Sequence, residues 1–310
     1  MRSFIGYRTL INNFKNRCIN NTLSHAHLIA GEDGIGKSKL ANILAKLILN
    51  KELDREYVDI INYKINKSSF GVDDVRNIIE EVSKKPFEGE KKVIIIHEGN
   101  RLTIQAQNAL LKTIEEPPIG VYIIILCESL ELILDTIKSR CEIYKLTPLT
   151  KDELYEYIRV KGFNFNDNEI ESAIAFSEGI PGRIDRYFND NDLKELRNKI
   201  IQLIKKLSKN DLQIVLEEEE SLIILKDNKE EVLNILSGFI RDILIYKEVE
   251  NNSFIINGDK IQEINELTKE MSFKKLNNMI KTIEEARKNI KSNVNWGMTL
   301  RVMLMGFMEG

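Results

Sequence analysis

Cysteine is scarce in this chain. Among 310 residues there are three, Cys18, Cys127 and Cys141, far apart and never at C-x-x-C spacing, which excludes a disulfide framework and a cysteine-built zinc site. Proline is scarce as well: there are five, and none lies beyond Pro181, so the C-terminal part carries no strong helix breaker. Long apolar runs are missing. No stretch of roughly eighteen apolar residues occurs, so no helix is expected to span a membrane. The opening residues, Met1 to Tyr7, lack the apolar core of a secretion signal, and the expected location is cytoplasmic. An excess of positive charge is missing too. Lysine and arginine number 45 against 48 acids, a formal net charge of −3, so there is no global footprint for nucleic acid, and any DNA contact has to be local or supplied by partners. What remains is a chain 43% hydrophobic and 30% charged, able to bury a core and long enough for two or three domains.

The stretch Gly31-Glu32-Asp33-Gly34-Ile35-Gly36-Lys37-Ser38 matches the phosphate-binding loop G-x-x-x-x-G-K-[ST] at every fixed position. Glycines let successive backbone N–H groups turn inward around phosphate oxygens, where a side chain would block the approach. Lys37 supplies a point charge for the outer phosphates, and Ser38 a hydroxyl for Mg²⁺. An apolar run, His27 to Ala30, leads in, and an amphipathic pattern from Lys39 to Leu49 leads out. Strand, loop and helix in that order place the loop at a helix N-terminus, where the dipole favours anions. Bound ATP or ADP is the expected cofactor.

Helical spacing over residues 3–23 predicts a helix before the first strand. Asp59 to Tyr63 predicts a short strand, and Asp73 or Asp74 marks the start of a helix that Pro86 closes. Val93 to Ile96 and Val121 to Leu126 are continuous β-branched runs, as expected of strands buried on both faces. Ile104 to Glu115 predicts a helix with Ala106, Ala109, Leu110 and Thr113 or Ile114 inward, stopped by Pro117 and Pro118. Glu142 to Leu146 predicts a last strand. The alternation predicts an α/β core over 1–147, a parallel sheet with flanking helices. Thr150 with Glu153 reads as a capping box, opening a small region of 148–190 with two short helices broken at Gly179 to Gly182. From 191 to 310 helical periodicity dominates, so an all-helical C-terminal domain is expected. The acidic run Glu217 to Glu220 reads as a solvated face rather than a docking site.

A phosphate-binding loop works with a second element, an apolar strand ending in an Asp that holds Mg²⁺ beside a Glu that polarises water. Val93 to Ile96 is that strand, but His97 stands at its first position. A neutral imidazole is a poor ligand for a hard, oxygen-seeking cation. Glu98 remains in the water-activating position. Nucleotide binding is therefore expected, while hydrolysis and Mg²⁺ are weakly supported.

The run Gln-Asn-Ala-Leu-Leu-Lys-Thr-Ile-Glu-Glu-Pro-Pro at 107–118 and Thr-Ile-Lys-Ser-Arg-Cys at 136–141, together with the loop, resemble the clamp-loader subunits of bacterial DNA polymerase III, AAA+ proteins that include delta-prime and gamma/tau. The resemblance is strongest over 24–146. It implies an AAA+ core over 1–147, a helical lid over 148–190 and a helical collar for oligomerisation over 191–310. It implies that Arg140 is an arginine finger acting on a neighbouring subunit's nucleotide, that Arg183 in the Ser-Glu-Gly-Ile-Pro-Gly-Arg segment senses nucleotide from the lid, and that Asn293 to Arg301 belongs to the last collar helix. Taken alone, Arg140 could equally pair with a local carboxylate such as Glu142, and Arg183 could cap a helix terminus. Trp296 and Met298 read as packing residues. His97, Cys127 at the sensor position and the absence of cysteine between 50 and 92 depart from the gamma/tau pattern and point to the delta-prime type, a stator with weak or absent ATPase activity of its own. The missing cysteines leave no zinc module. Implied partners are gamma/tau and delta subunits in a heteropentamer, with the sliding clamp and primer-template DNA met through the complex. Two other readings stay open: an active gamma/tau-type ATPase, with Lys37, Ser38 and Glu98 carrying turnover, and a stand-alone nucleotide-dependent DNA-binding module.

Overall fold

The computed structural model describes residues 4–64, 69–208, 228–251 and 254–308. The acidic run Glu217 to Glu220 lies outside them. The chain divides into two compact units, Met1–Phe163 with Gly179–Gly182, and Asn164–Glu178 with Arg183–Gly310. The segment 148–190 thus contributes to both. Among the described residues no helix is long and apolar enough to cross a membrane.

Five parallel strands form the sheet of the first unit: β1 (Ala26–Ala30), β2 (Ile60–Tyr63), β3 (Lys92–Ile96), β4 (Val121–Cys127) and β5 (Glu142–Lys145), in the order β2-β3-β4-β1-β5. Helices α1 (Arg8–Ile19), α2 (Lys37–Ile48), α3 (Val72–Ser83) and α4 (Ile104–Glu115) cover it. The two-residue period of the strands sorts the continuous apolar runs onto two faces. Leu28, Ile94, Ile96, Ile123 and Ile125 pack on α3 and α4, while Ile29, Val93, Ile95, Ile124 and Leu126 pack on α1 and α2. A one-residue slip would exchange these sets, so register is strongly specified; Leu28 lies beside Ile125 and Ile143, and Ile94 beside Ile123.

Two expected details come out differently. Helix α3 is capped by Gly71, and Asp74 is its N3 acid, accepting a hydrogen bond from the Gly71 N–H at 3.1 Å. The residues from Gly179 to Gly182 end one helix but also open another. After α6 (Lys151–Lys161) and α7 (Asp167–Ser177), helix α8 (Pro181–Asn189) starts on its proline, which has no N–H to lose at a first helical position. Thr150 and Glu153 form the expected capping box on α6.

The second unit buries one helical core. Leu196, Ile200 and Ile204 of α9 (Asn191–Leu207), Leu236 and Phe239 of α10 (Lys229–Val249), Leu267 of α11 (Ile261–Glu270), Leu276, Met279 and Ile283 of α12 (Phe273–Lys291), and Leu300 and Leu304 of α13 (Trp296–Gly306) meet there. Trp296 is in this core, as expected. A buried polar network crosses it. Arg197, 5% exposed, donates to Asn257 at 2.9 Å and Asp259 at 2.8 Å and stacks over the Tyr187 ring at 4.7 Å; Asp242 accepts from the N–H and the side-chain amide of Asn257. Pairing and hydrogen bonding of each charge are what make such burial tolerable.

One buried histidine sets an acid limit on the first unit. His27 is fully buried on β1, its ring 5.2 Å from Phe14 and 5.8 Å from Tyr144. Burial pushes its imidazole down from the ordinary 6.5 to about 4, with the Glu142 carboxylate at 3.9 Å opposing. The folded chain therefore refuses a proton that the unfolded chain accepts below about pH 6.5. Stability is full above that pH and is lost as the pH falls toward about 4, by roughly 3 kcal/mol in all. Urea denaturation at a series of pH values should show this slope in the wild type and a flatter one in His27→Leu; parallel curves would rule out His27 as the cause.

Candidate functional site

The phosphate-binding loop is built as its spacing demands. It leaves the C-terminal end of β1 and enters α2. Gly34 (φ 80°) and Gly36 (φ 106°) are both left-handed, a conformation in which a side chain is strained. Gly36 is the N-cap of α2; no side chain caps this terminus and no acid lies in the first turn, so the orphan N–H groups are not spent on side chains. The Gly31 N–H donates to the Cys127 carbonyl at 3.1 Å and fastens the loop to β4. The Lys37 ammonium folds back onto the loop, donating to the carbonyls of Gly31 at 2.7 Å and Glu32 at 2.8 Å; burial lowers its pKa, with Asp33 and Glu128 opposing. Cys127, at the sensor position, is fully buried, and burial pushes its thiol up to about 11.

His97 stands beside the loop. Its backbone N–H continues the β2–β3 ladder by donating to the Tyr63 carbonyl at 2.9 Å. Its Nε2 lies 2.8 Å from the Asn62 side-chain oxygen and its Nδ1 lies 3.3 Å from the Ser38 hydroxyl. An amide oxygen only accepts, so Nε2 carries the proton and Nδ1 is left to accept from Ser38. Burial lowers the His97 pKa, Lys64 adds to the effect and Glu98 opposes it, so the ring is neutral at neutral pH. Ser38, Asn42, Lys46, Glu56, Asn62, Lys64 and His97 share one cavity of 390 Å³. Mg²⁺ demands an octahedral shell of oxygens. Here the residue facing the loop hydroxyl brings a neutral ring nitrogen in place of a carboxylate oxygen. This donor set does not fit the ion. Glu98, at φ 52°, turns into an ion pair with Arg101 at 2.7 Å. Asn62 escaped the sequence reading because nothing in its local pattern marks it; only the β2–β3 pairing puts it next to His97.

The second site lies at the opposite end of the sheet. Arg140 follows α5 (Asp135–Lys138) and precedes β5. It donates to the Thr136 carbonyl at 2.9 Å and pairs with Glu115 at the end of α4. Its expected local partner, Glu142, pairs instead with Arg17. Gln107 was missed as a site residue, although it lies in the motif. It is 2% exposed, donates to the carbonyls of Leu102 and Leu132 at 3.1 Å each, and accepts from the Leu134 N–H at 2.8 Å. It therefore pins the segment that carries α5 and Arg140. In the second unit, Arg183 pairs with Glu178, the C-cap residue of α7.

Another contact was invisible in the sequence. The Gly182 N–H donates to the Gly34 carbonyl at 2.9 Å, so the start of α8 rests on the tip of the loop.

A phosphate-binding loop between β1 and α2 of a parallel β2-β3-β4-β1-β5 sheet, followed by helices, defines an AAA+ protein. The DNA polymerase III delta-subunit family model matches residues 6–150, and the model for the C-terminal part of the delta subunit matches residues 191–309. The chain belongs to this family of DNA polymerase III clamp-loader subunits. It is 25% identical to the DNA polymerase III subunit delta′ of Bacillus subtilis over 306 residues, 93% of this chain and 92% of that one. It is 31% identical to the delta′ subunit of Haemophilus influenzae over 175 residues, where the match spans about half of each chain (51% and 53%). The crystal structure of a DNA polymerase III gamma subunit-related protein from Thermotoga maritima shares the fold, with a TM-score of 0.51 at 20% identity, covering 96% of this chain and 98% of that one.

A Cβ on Gly182 would sit 2.7 Å from the Gly34 Cα, a clash between backbones that no rotamer relieves. Gly182→Ala is expected to cost about 1–3 kcal/mol. Thermal denaturation checks this; an unshifted melting temperature would mean the contact is not close.

Proposed function

We propose that this chain serves as the delta-prime-type subunit of a clamp loader. It holds a nucleotide on Gly31, Gly34, Gly36, Lys37 and Ser38 without turning it over, and it presents Arg140 to the nucleotide of a neighbouring gamma/tau-type subunit. The partners in this reading are gamma/tau and delta subunits. The sliding clamp and primer-template DNA are met through the assembly, in the cytoplasm. Arg183 is assigned a nucleotide-sensing role in the lid.

One observation carries the reading. Arg140 precedes the N-terminal end of β5, whereas the loop follows the C-terminal end of β1, and these two strands are parallel neighbours with His27 beside Glu142 and Ala30 beside Lys145. A strand advances about 3.3 Å per residue, so the two sites are separated by the length of a strand, roughly 13 Å, at opposite ends of the strands. Arg140 is therefore far from its own loop, which supports a role toward a neighbour's. Its ion pair with Glu115 is about 40% exposed on both sides (39% and 41%), and such pairs contribute little stability, so a phosphate can displace the carboxylate. A guanidinium inserted from a neighbour neutralises charge as it develops on the transferring phosphoryl group.

Arg140→Ala should leave assembly intact and cut the ATPase rate of the reconstituted complex. Single arginine fingers are worth roughly 10³–10⁵ in rate in GTPases, and other intact sites in the assembly would dilute the loss. Unchanged turnover would refute the role. The intact loop favours one rival, an active ATPase using Lys37, Ser38 and Glu98. Robust hydrolysis by the isolated chain, abolished by Lys37→Ala, would establish that rival.

The helical region 191–310 is assigned to oligomerisation. On α13, Met298 (69% exposed), Val302 (62%) and Met305 (50%) fall at i, i+4 and i+7 and form one apolar stripe facing away from the helical core. Met298→Glu with Val302→Glu should abolish assembly while the circular dichroism of the isolated chain stays unchanged. Size-exclusion chromatography with the other subunits decides it: co-elution of the double variant would remove the stripe from the interface.

A further inference from the structure

The cavity beside the loop contradicts the usual partnership between a phosphate-binding loop and Mg²⁺. Three residues from three elements form a fixed chain there. Asn62 of β2 accepts from His97 Nε2 at 2.8 Å, and His97 Nδ1 lies 3.3 Å from the hydroxyl of Ser38 on α2. Asn42, one turn along α2, donates to the Ser38 carbonyl at 2.9 Å and holds that turn in place. The chain cannot easily swing aside. His97 is 8% exposed, its backbone is in the β2–β3 ladder, and its outer nitrogen is tied to Asn62.

Each feature acts against a divalent cation. The imidazole Nδ1 accepts the serine proton, so the group that faces this hydroxyl brings a neutral nitrogen where a carboxylate would bring charge and hard oxygens. The carbonyl oxygen of Asn62, a hard donor that could have served, is spent on the ring. Lys64 lines the same cavity and places a positive charge where a cation would have to enter. The nearby acids do not reverse this: the Glu98 carboxylate pairs with Arg101, and Glu56, which lines the cavity, is outnumbered there by Lys46 and Lys64. The same cavity is suited to a phosphate oxygen, since Lys37, Lys46 and Lys64 are all cationic and Lys46 and Lys64 line it directly.

We propose that this chain binds a nucleoside di- or triphosphate free of magnesium, with the Asn62–His97–Ser38 chain standing in the place of the metal and its carboxylate. His97 is then a specificity-determining residue. It admits the phosphates while excluding the ion that would support hydrolysis at this site. The proposal rests on the reading that the loop holds a nucleotide.

The test is equilibrium binding of ADP and ATP to the full chain, followed by calorimetry, once in excess magnesium chloride and once in excess EDTA. Wild type should give dissociation constants that agree within about twofold in the two conditions. His97→Asp, checked for folding by circular dichroism, should bind about tenfold or more weakly in EDTA than in magnesium, because a carboxylate next to Ser38 repels phosphate until a cation bridges them. A wild type that loses tenfold or more in EDTA overturns the proposal while leaving the nucleotide reading intact. Heat-silent titrations with no binding in either condition overturn the nucleotide reading itself, and the proposal with it. A His97→Asp variant whose affinity ignores magnesium shows that His97 does not set the dependence, which also overturns it.

Discussion

The pairing of β5 along β1 organises the first unit. Both strands run the same way, with the register His27 beside Glu142 and Ala30 beside Lys145. That ladder sets the phosphate-binding loop at the C-terminal ends of the strands and Arg140 at their N-terminal ends. It rests on an edge strand of four residues, held by a buried aromatic contact between Phe14, His27 and Tyr144 and by the Arg17–Glu142 ion pair. Because the strands are parallel, no local adjustment can bring the two sites together. The phosphate-binding loop and the Arg140 guanidinium therefore serve different places.

The 107–118 motif has a mechanical content that its letters do not announce. Its first residue, Gln107, satisfies three backbone groups, one just before α4 and two in the segment that leads into α5. Near its other end, Glu115 receives Arg140 itself. Between them Leu110 and Ile114, with Ala106 just before, bury the helix against the sheet. The buried contacts cost much to break, since an orphaned buried amide loses its full desolvation penalty. The exposed pair costs little. Stability is thus concentrated in the segment that carries Arg140, and little is invested in the ion pair that Arg140 makes.

The strand-end histidine shows the same separation of duties at the other end of the strands. An aspartate there would bring a hard oxygen and a negative charge. His97 brings a soft nitrogen, neutral because burial disfavours its charged form, and so it spends the Ser38 hydroxyl on a hydrogen bond. The start of α8 on Gly34 adds a second constraint on the loop, through two glycines packed backbone to backbone. Both contacts come from parts of the chain distant in sequence.

By itself the sequence determined the elements and their chemistry. Continuous β-branched runs pointed to buried strands, the Gly-rich spacing to a phosphate-binding loop, and the helical period beyond 191 to helices, because each of these follows from local sterics and period. Ala106, Leu110 and Ile114 were legible as a core face for the same reason, whereas Gln107 in their midst was not, since its partners lie some 5 to 27 residues away. Only tertiary structure decided which charges meet. Arg140 found Glu115 rather than the nearby Glu142, His97 found Asn62 and Ser38, and Gly182 found Gly34. Pairing across a parallel sheet depends on strand order and register, and these are set by how the whole set of apolar faces closes on the core, not by any one segment.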